Sequence, residues 1–207
     1  MNPNDVSRRH VWRPAKDVAN SRTLLLLHGT GADENDLIGL GRSLDRDANL
    51  LSPRGLVMHQ GMSRFFLRHD DGSFDEAGII KNAHELANFL ADAAETYGFD
   101  ASTVWAVGFS NGANAAGSLL ILHPESLAGI IAFGTTRSFQ KVAKVPDLRG
   151  KRVFIANGEI DGYSPHDATA KMVKEFRGWG ASVQLLMHPG GHTIALEHVR
   201  KIGETLG

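Results

Sequence analysis

Apolar side chains in this chain recur in short blocks separated by longer stretches of mixed character. Six runs of Leu-rich or β-branched residues, at 22–28, 50–53, 102–108, 127–133, 152–157 and 182–188, read as buried strands. Between them, residues 34–45, 76–97, 111–123, 165–179 and 193–205 carry apolar side chains at helical spacing. In the second of these, Ile79, Ile80, Ala83, Leu86, Ala87, Leu90, Ala94 and Tyr97 form one stripe at steps of three and four. Strand and helix therefore alternate, which predicts the α/β class. Each parallel connection needs a crossover long enough to return to the same sheet edge, so helices should cover both faces of a mostly parallel sheet. Residues 55–75 fit neither period. Phe65-Phe66 and Asp70-Asp71-Gly72 predict a long loop there with a turn at the Asp-Gly, a type of segment that often borders a functional edge.

No internal repeat, low-complexity tract or Pro/Gly/Ser linker divides the chain, so one domain spanning 1–207 is expected. With 42% apolar and 22% charged residues, the composition belongs to a globular protein, not a disordered or fibrous one. Lys plus Arg total 22 against 23 Asp plus Glu, and the one basic cluster is Ser7-Arg8-Arg9-His10. A nucleic-acid partner, which depends on concentrated positive charge, is not expected. The longest strongly apolar stretches, 24–27 and 128–133, are far too short to cross a bilayer, and the first residues lack the apolar core of a secretory signal. No membrane association is expected, and the cytoplasm is the expected compartment. The absence of cysteine removes disulfides, thiolate metal sites and thiol nucleophiles together.

Candidate chemistry begins at Gly108-Phe109-Ser110-Asn111-Gly112, which follows a strand and opens a helix. That is the setting of a G-x-S-x-G nucleophile elbow, where the glycines relieve collisions that side chains would make with neighbouring backbone. A serine hydroxyl needs a base to take its proton and a carboxylate to orient that base, in the chain order Ser, acid, His. Residues 152–157 lead to Gly158-Glu159-Ile160-Asp161-Gly162, and the last strand leads to His188-Pro189-Gly190-Gly191-His192. Loops leaving the carboxyl ends of parallel strands share one sheet edge, so Ser110, Asp161 and His192 can meet there. Asp161, in a glycine-rich loop, is favoured over Glu159, which stays open as the alternative. His192 is favoured over His188, which sits at a strand end and suits a structural role. No metal is expected, because Pro189, Gly190 and Gly191 prevent the helix that would align the two histidines. The oxyanion of acyl transfer would be met by the backbone amides of Asn111 and of Thr30, within the turn His28-Gly29-Thr30-Gly31.

With these motifs, together with Asp33-Glu34-Asn35-Asp36-Leu37, Leu51-Ser52-Pro53-Arg54-Gly55 and Pro189-Gly190-Gly191-His192, the chain resembles the phospholipase/carboxylesterase group of α/β-hydrolases. The resemblance implies Ser110, Asp161 and His192 as the triad, Thr30 and Asn111 as oxyanion donors, no cofactor, and a small-molecule ester as substrate. The acid loop departs from the family pattern. Many members carry Asp-Pro, an aliphatic residue and a second proline where this chain has Asp161-Gly162-Tyr163-Ser164-Pro165, a difference that bears on pocket shape. Residues 134–151 leave no room for a lid domain, so an open cleft is expected, walled by Met62, Phe65, Phe66 and Tyr163. The leading expectation is a serine carboxylesterase working through an acyl-enzyme. Thioester or lysophospholipid hydrolysis on the same triad, or a silent binding protein on a hydrolase scaffold, are the alternatives. Exposed Phe and Met would also be compatible with a homodimer.

Overall fold

A computed structural model describes residues 8–69 and 71–206. Ser7 of the basic cluster and Asp70 of the expected turn lie outside the described residues. Seven strands form one sheet: β1 (His10–Arg13), β2 (Thr23–Leu27), β3 (Asn49–Pro53), β6 (Trp105–Phe109), β7 (Gly129–Phe133), β8 (Arg152–Gly158) and β9 (Ser182–His188), in the spatial order β1-β3-β2-β6-β7-β8-β9. Only β1 runs antiparallel to its neighbour. β4 (Val57–His59) and β5 (Met62–Arg64) make a separate hairpin.

The Leu24-Leu25-Leu26-Leu27 run shows why the strands read as unbroken apolar blocks. Leu25 and Leu27 enter one core, and Leu24 and Leu26 enter a second core on the opposite sheet face. With both faces covered, the period-2 alternation has no polar side to show. The first core is completed by α2 (Glu76–Tyr97), α3 (Asn111–Leu122) and α4 (His166–Gly178), and the second by α1 (Ile38–Leu44) and α5 (Leu196–Leu206). Helix α2 matches the predicted span. It starts where the Asp75 carboxylate accepts the Gly78 N–H at 3.0 Å, and ends at Gly98, whose φ of 75° suits glycine. Ile80, placed in the apolar stripe by spacing, is instead 40% exposed, while Phe89 and Ala93 are buried.

Local expectations change at several boundaries, the helix expected from 193 beginning at Leu196 and the strand expected from 127 at Gly129. The predicted helix over 34–45 is helical only from Ile38, because the side chain of Asp33 caps a turn by accepting the Asn35 N–H. The strand expected from 102 begins at Trp105, after a 3₁₀ turn nucleated by Asp100 accepting the Ser102 N–H. The long loop expected over 55–75 contains the β4–β5 hairpin, although a turn with Gly72 at φ 85° does lie where Asp-Gly was read. Residues 134–151 connect β7 to β8 without helix or strand, and no lid covers the sheet edge there.

The topology sets the position of the site. From β2 the chain moves outward to β3, then returns to place β6 on the other side of β2. Loops from β2 and β6 thus diverge from adjacent strand ends, leaving a crevice at the switch point. Leu27 pairs with Gly108, Phe109 with Phe133, Phe133 with Ala156, and Gly158 with His188, so all five strands end on the same sheet edge, β8 and β9 two residues beyond β7.

Candidate active site

Ser110 stands between β6 and α3 with φ 54° and ψ −117°, a conformation rarely tolerated by a side chain. The turn is this tight because two glycines let backbone meet backbone. A Cβ on Gly108 would lie 2.4 Å from the Gly112 carbonyl group, and one on Gly112 would lie 1.9 Å from the Leu27 oxygen. The Ser110 N–H donates to the Phe133 oxygen at 2.9 Å, anchoring the elbow to β7, and its side chain caps no helical amide. Among the described residues the hydroxyl has no hydrogen-bond partner that would commit it.

The loops after β8 and β9 approach as closely as glycine permits. A Cβ on Gly158 would fall 2.2 Å from the oxygens of Gly190 and Gly191. This contact delivers Asp161 to His192, whose Nδ1–H donates to Asp161 Oδ2 at 2.7 Å. Asp161 Oδ1 accepts the Tyr163 N–H at 2.8 Å. Burial opposes ionisation of Asp161, but the hydrogen bonds from His192 and the Tyr163 amide outweigh it and hold the carboxyl below its ordinary range. Glu159 is exposed and is not the partner of His192 Nδ1, while His188 accepts the Gly190 N–H at 3.1 Å and supports the turn that carries His192.

The imidazole of His192 is held by contacts that sequence reading did not find. Its ring lies between Phe109 and Tyr163, each with a centroid separation of 4.9 Å. Gly134, at φ 59°, backs it so closely that a Cβ would stand 2.7 Å from Cε1. Asn114 and Asn157 hold the loop after Gly134: Asn114 Oδ1 accepts from the Thr135 hydroxyl and the Thr136 N–H, each at 2.9 Å, and Asn157 Oδ1 accepts the Thr135 N–H at 2.9 Å. Nothing in an Asn within a helix or at a strand end signals such a role. His192 Nε2 is left buried with no hydrogen-bond partner among the described residues, and both His192 and Ser110 line the same cleft of about 500 Å³.

Thr30 and Asn111 also line this cleft. As the first residue of α3, Asn111 has an N–H with no carbonyl within its own helix to bond. Its side chain is committed instead, Oδ1 accepting the Phe65 N–H at 2.7 Å and Nδ2 donating to the Phe66 oxygen at 3.1 Å. Below Thr30, buried His28 acts as a strut. Its Nε2 accepts the Gly55 N–H at 3.0 Å, leaving Nδ1–H to donate to the Gly29 oxygen at 2.7 Å. Burial is the main cause holding this imidazole below its ordinary pKa, and hence neutral. The segment after it is pinned by charge. Arg54 bonds Glu34, Arg54 also reaches Asp33 at 3.0 Å, and Arg9 reaches Glu34 at 2.7 Å.

Residues 11–206 match the sequence pattern of the phospholipase/carboxylesterase family. The chain belongs to that family. It is 39% identical over 196 residues to MhqD of Bacillus subtilis (strain 168), a protein named as a hydrolase, covering 95% of this chain and 96% of that one. Its fold is similar to the crystal structure of the Bacillus cereus carboxylesterase at a TM-score of 0.93, with 36% identity over 97% of this chain and 94% of the other. A carboxylesterase from Mesorhizobium loti superposes at 0.82, with 29% identity and coverage of 90% and 88%. The family and these relatives make the chain a carboxylic ester hydrolase of the α/β-hydrolase fold.

The walls of this cleft differ in part from expectation. Met62 and Tyr163 border it, but Phe65 and Phe66, at 1% and 0% exposure, are core residues. The reason is the grip of Asn111 on their backbone, which accompanies two rings turned inward against α2 and α3. Phe74 and Phe109 line the cleft in their place. Within the basic cluster, Arg9 is exposed and paired with Glu34, and Arg8 is buried. Arg8 lies over the rings of Phe65 and Phe89, and burial lowers its pKa to about 10. Among large apolar side chains, Met58 and Met62 are exposed but no phenylalanine is, so half of the motive for a homodimer is gone. No helix among the described residues is long and apolar enough to cross a membrane.

Proposed function

We propose that Ser110, His192 and Asp161 form the catalytic triad of this ester hydrolase, with the amides of Thr30 and Asn111 as its oxyanion donors. The observation that carries this reading is His192: Nδ1 is held by a buried carboxylate, and Nε2, unpaired, belongs to the cleft that also contains a strained, uncommitted serine. Ser110 Oγ attacks the ester carbon while His192 Nε2 takes its proton. Asp161 keeps the proton on Nδ1 and stabilises the imidazolium. The carbonyl oxygen, now an oxyanion, accepts the two N–H groups, where one such donor is worth roughly 10²–10³ in rate. Collapse expels the alcohol, which takes its proton from Nε2. Water activated by His192 then releases the acid from Ser110.

A silent scaffold would have no use for the strain at Ser110, and that strain favours the catalytic reading. Ser110→Ala is expected to bring turnover of a short-chain p-nitrophenyl ester close to the uncatalysed rate and to abolish labelling by a fluorophosphonate. Retained turnover in the purified variant would reject the assignment.

A further inference from the structure

We propose that the cleft is built for an ester carrying a second, anionic group, a carboxylate seated on the guanidinium of Arg64. The inference deepens the esterase reading and rests on it.

Arg9, Arg22, Arg54, Arg137 and Arg149 each pair with a carboxylate. Arg64 is not the one buried arginine without an ion pair: Arg8, outside the cleft, donates Nε–H to the Arg54 oxygen and lies over the rings of Phe65 and Phe89, with Nη1 and Nη2 unpartnered among the described residues. Arg64 is 92% buried by its 8% exposure, lines the catalytic cleft, and has neither an ion pair nor a partner for its buried Nε among the described residues. Asp36, the carboxylate on the same cleft, is exposed and forms no ion pair with it. A largely buried guanidinium without an opposite charge is costly, and where it borders an open cleft an anionic ligand can complete it. Its planar fork of N–H donors matches the two oxygens of a carboxylate.

The position of Arg64 is also fixed. Its backbone is overlaid by Gly55, where a Cβ would lie 2.5 Å from the Arg64 carbonyl group. The preceding residue, Ser63, accepts the Gly31 N–H at 2.8 Å, and the following one, Phe65, is held by Asn111 at 2.7 Å. The backbone that carries the cation is therefore clamped between the two turns that carry the proposed oxyanion donors. Arg68 adds a second positive charge at the rim, stacked over Phe74 at 5.3 Å and Tyr163 at 5.9 Å. Neutral ester chemistry uses neither charge.

The anion can belong to the acyl or the alcohol half, and hydrolysis would release a dicarboxylate or a hydroxy acid respectively. Methyl hydrogen glutarate against methyl hexanoate probes the first, and acetoxyacetate against propyl acetate the second, with acid release followed by pH-stat. One charged ester is expected to exceed its neutral counterpart at least tenfold in kcat/KM. Arg64→Met should bring that ratio near one, and Arg64→Lys should keep part of it. Because the buried charge serves a ligand, the Tm of Arg64→Met should equal or exceed that of the parent. A ratio of one or less for both pairs in the parent overturns the proposal, as does an Arg64→Met variant that lowers both members of a pair equally or loses several degrees of Tm. Turnover of the neutral esters reports the esterase reading separately. Should no ester be hydrolysed, a Tm raised by free glutarate in the parent and not in Arg64→Met still supports the anion site, and no rise in either overturns it.

Discussion

At Gly134 a single hydrogen atom in place of a methyl group lets His192 lie where it does. A Cβ there would press on Cε1 at 2.7 Å and on Nδ1 at 3.0 Å, the atom bonded to Asp161, and φ 59° is itself unfavourable for alanine. Gly134→Ala should therefore tilt the ring off Asp161, reducing kcat at least tenfold with a stability loss of about 1–2 kcal/mol. The low-field Nδ1–H resonance of His192 in proton NMR should shift or disappear. An unchanged resonance with unchanged kcat would show that the ring position tolerates the methyl. At this scale, what sequence reveals depends on whether a role has a local signature. Ser110 announces itself through Gly108 and Gly112, and Asp161 and His192 through strand-end loops. Gly134 and Asn114 act through contacts between segments far apart in the chain, and no neighbouring residue marks them. Phe65 and Phe66 mislead for the same reason: the Asn111 side chain, 46 and 45 residues away, holds the backbone from which their buried rings extend.

Among the elements, the turn after β2 and the end of β3 show how two motifs distant in sequence become one support. Asp33-Glu34 and Arg54 carry part of the family resemblance, and in the folded chain they bond each other beneath the proposed oxyanion turn. Burial works against ionisation of Glu34, yet hydrogen bonds from Arg54 and Arg9 prevail and hold its pKa at about 2. A depressed carboxylate contributes stability above the ordinary carboxylate range and loses it as pH falls toward its folded value. Glu34→Gln should therefore cost roughly 2 kcal/mol near neutral pH, or about 4–8 °C in Tm for a chain of this size. The Tm gap between parent and variant should be full above about pH 5 and close as pH falls toward 2. A gap that does not change with pH would mean that shape, not charge, holds the turn. Most elements were legible because they are long and strongly periodic, as α2 is. β1, β4 and β5 have four, three and three residues, too few for a period to emerge, and the pairing that makes them strands comes from β3 and from each other.

Across the whole molecule, stability and chemistry occupy different places. The α/β class follows from alternation of apolar periods, and the location of the cleft from strand order, which puts the switch point between β2 and β6. The far edge of the sheet is closed by β1, antiparallel on β3. Trp12 on that strand stacks flat on Tyr97 at 4.5 Å and reaches Phe99 at 5.6 Å, while the neighbouring His10 bonds the Tyr97 hydroxyl at 2.6 Å. These contacts join the start of the chain to the end of α2 across 85 residues, and none of them touches the cleft. Trp12→Ala removes a large partly buried ring and should cost about 2–4 kcal/mol, lowering Tm by roughly 4–16 °C. Esterase kcat/KM measured well below that Tm should stay within about twofold of the parent, because the loops from β2, β6, β8 and β9 are positioned by the parallel strands and by their own glycine contacts. A loss of activity in proportion to the loss of stability would instead make the edge strand part of the framework that aligns Ser110 with His192.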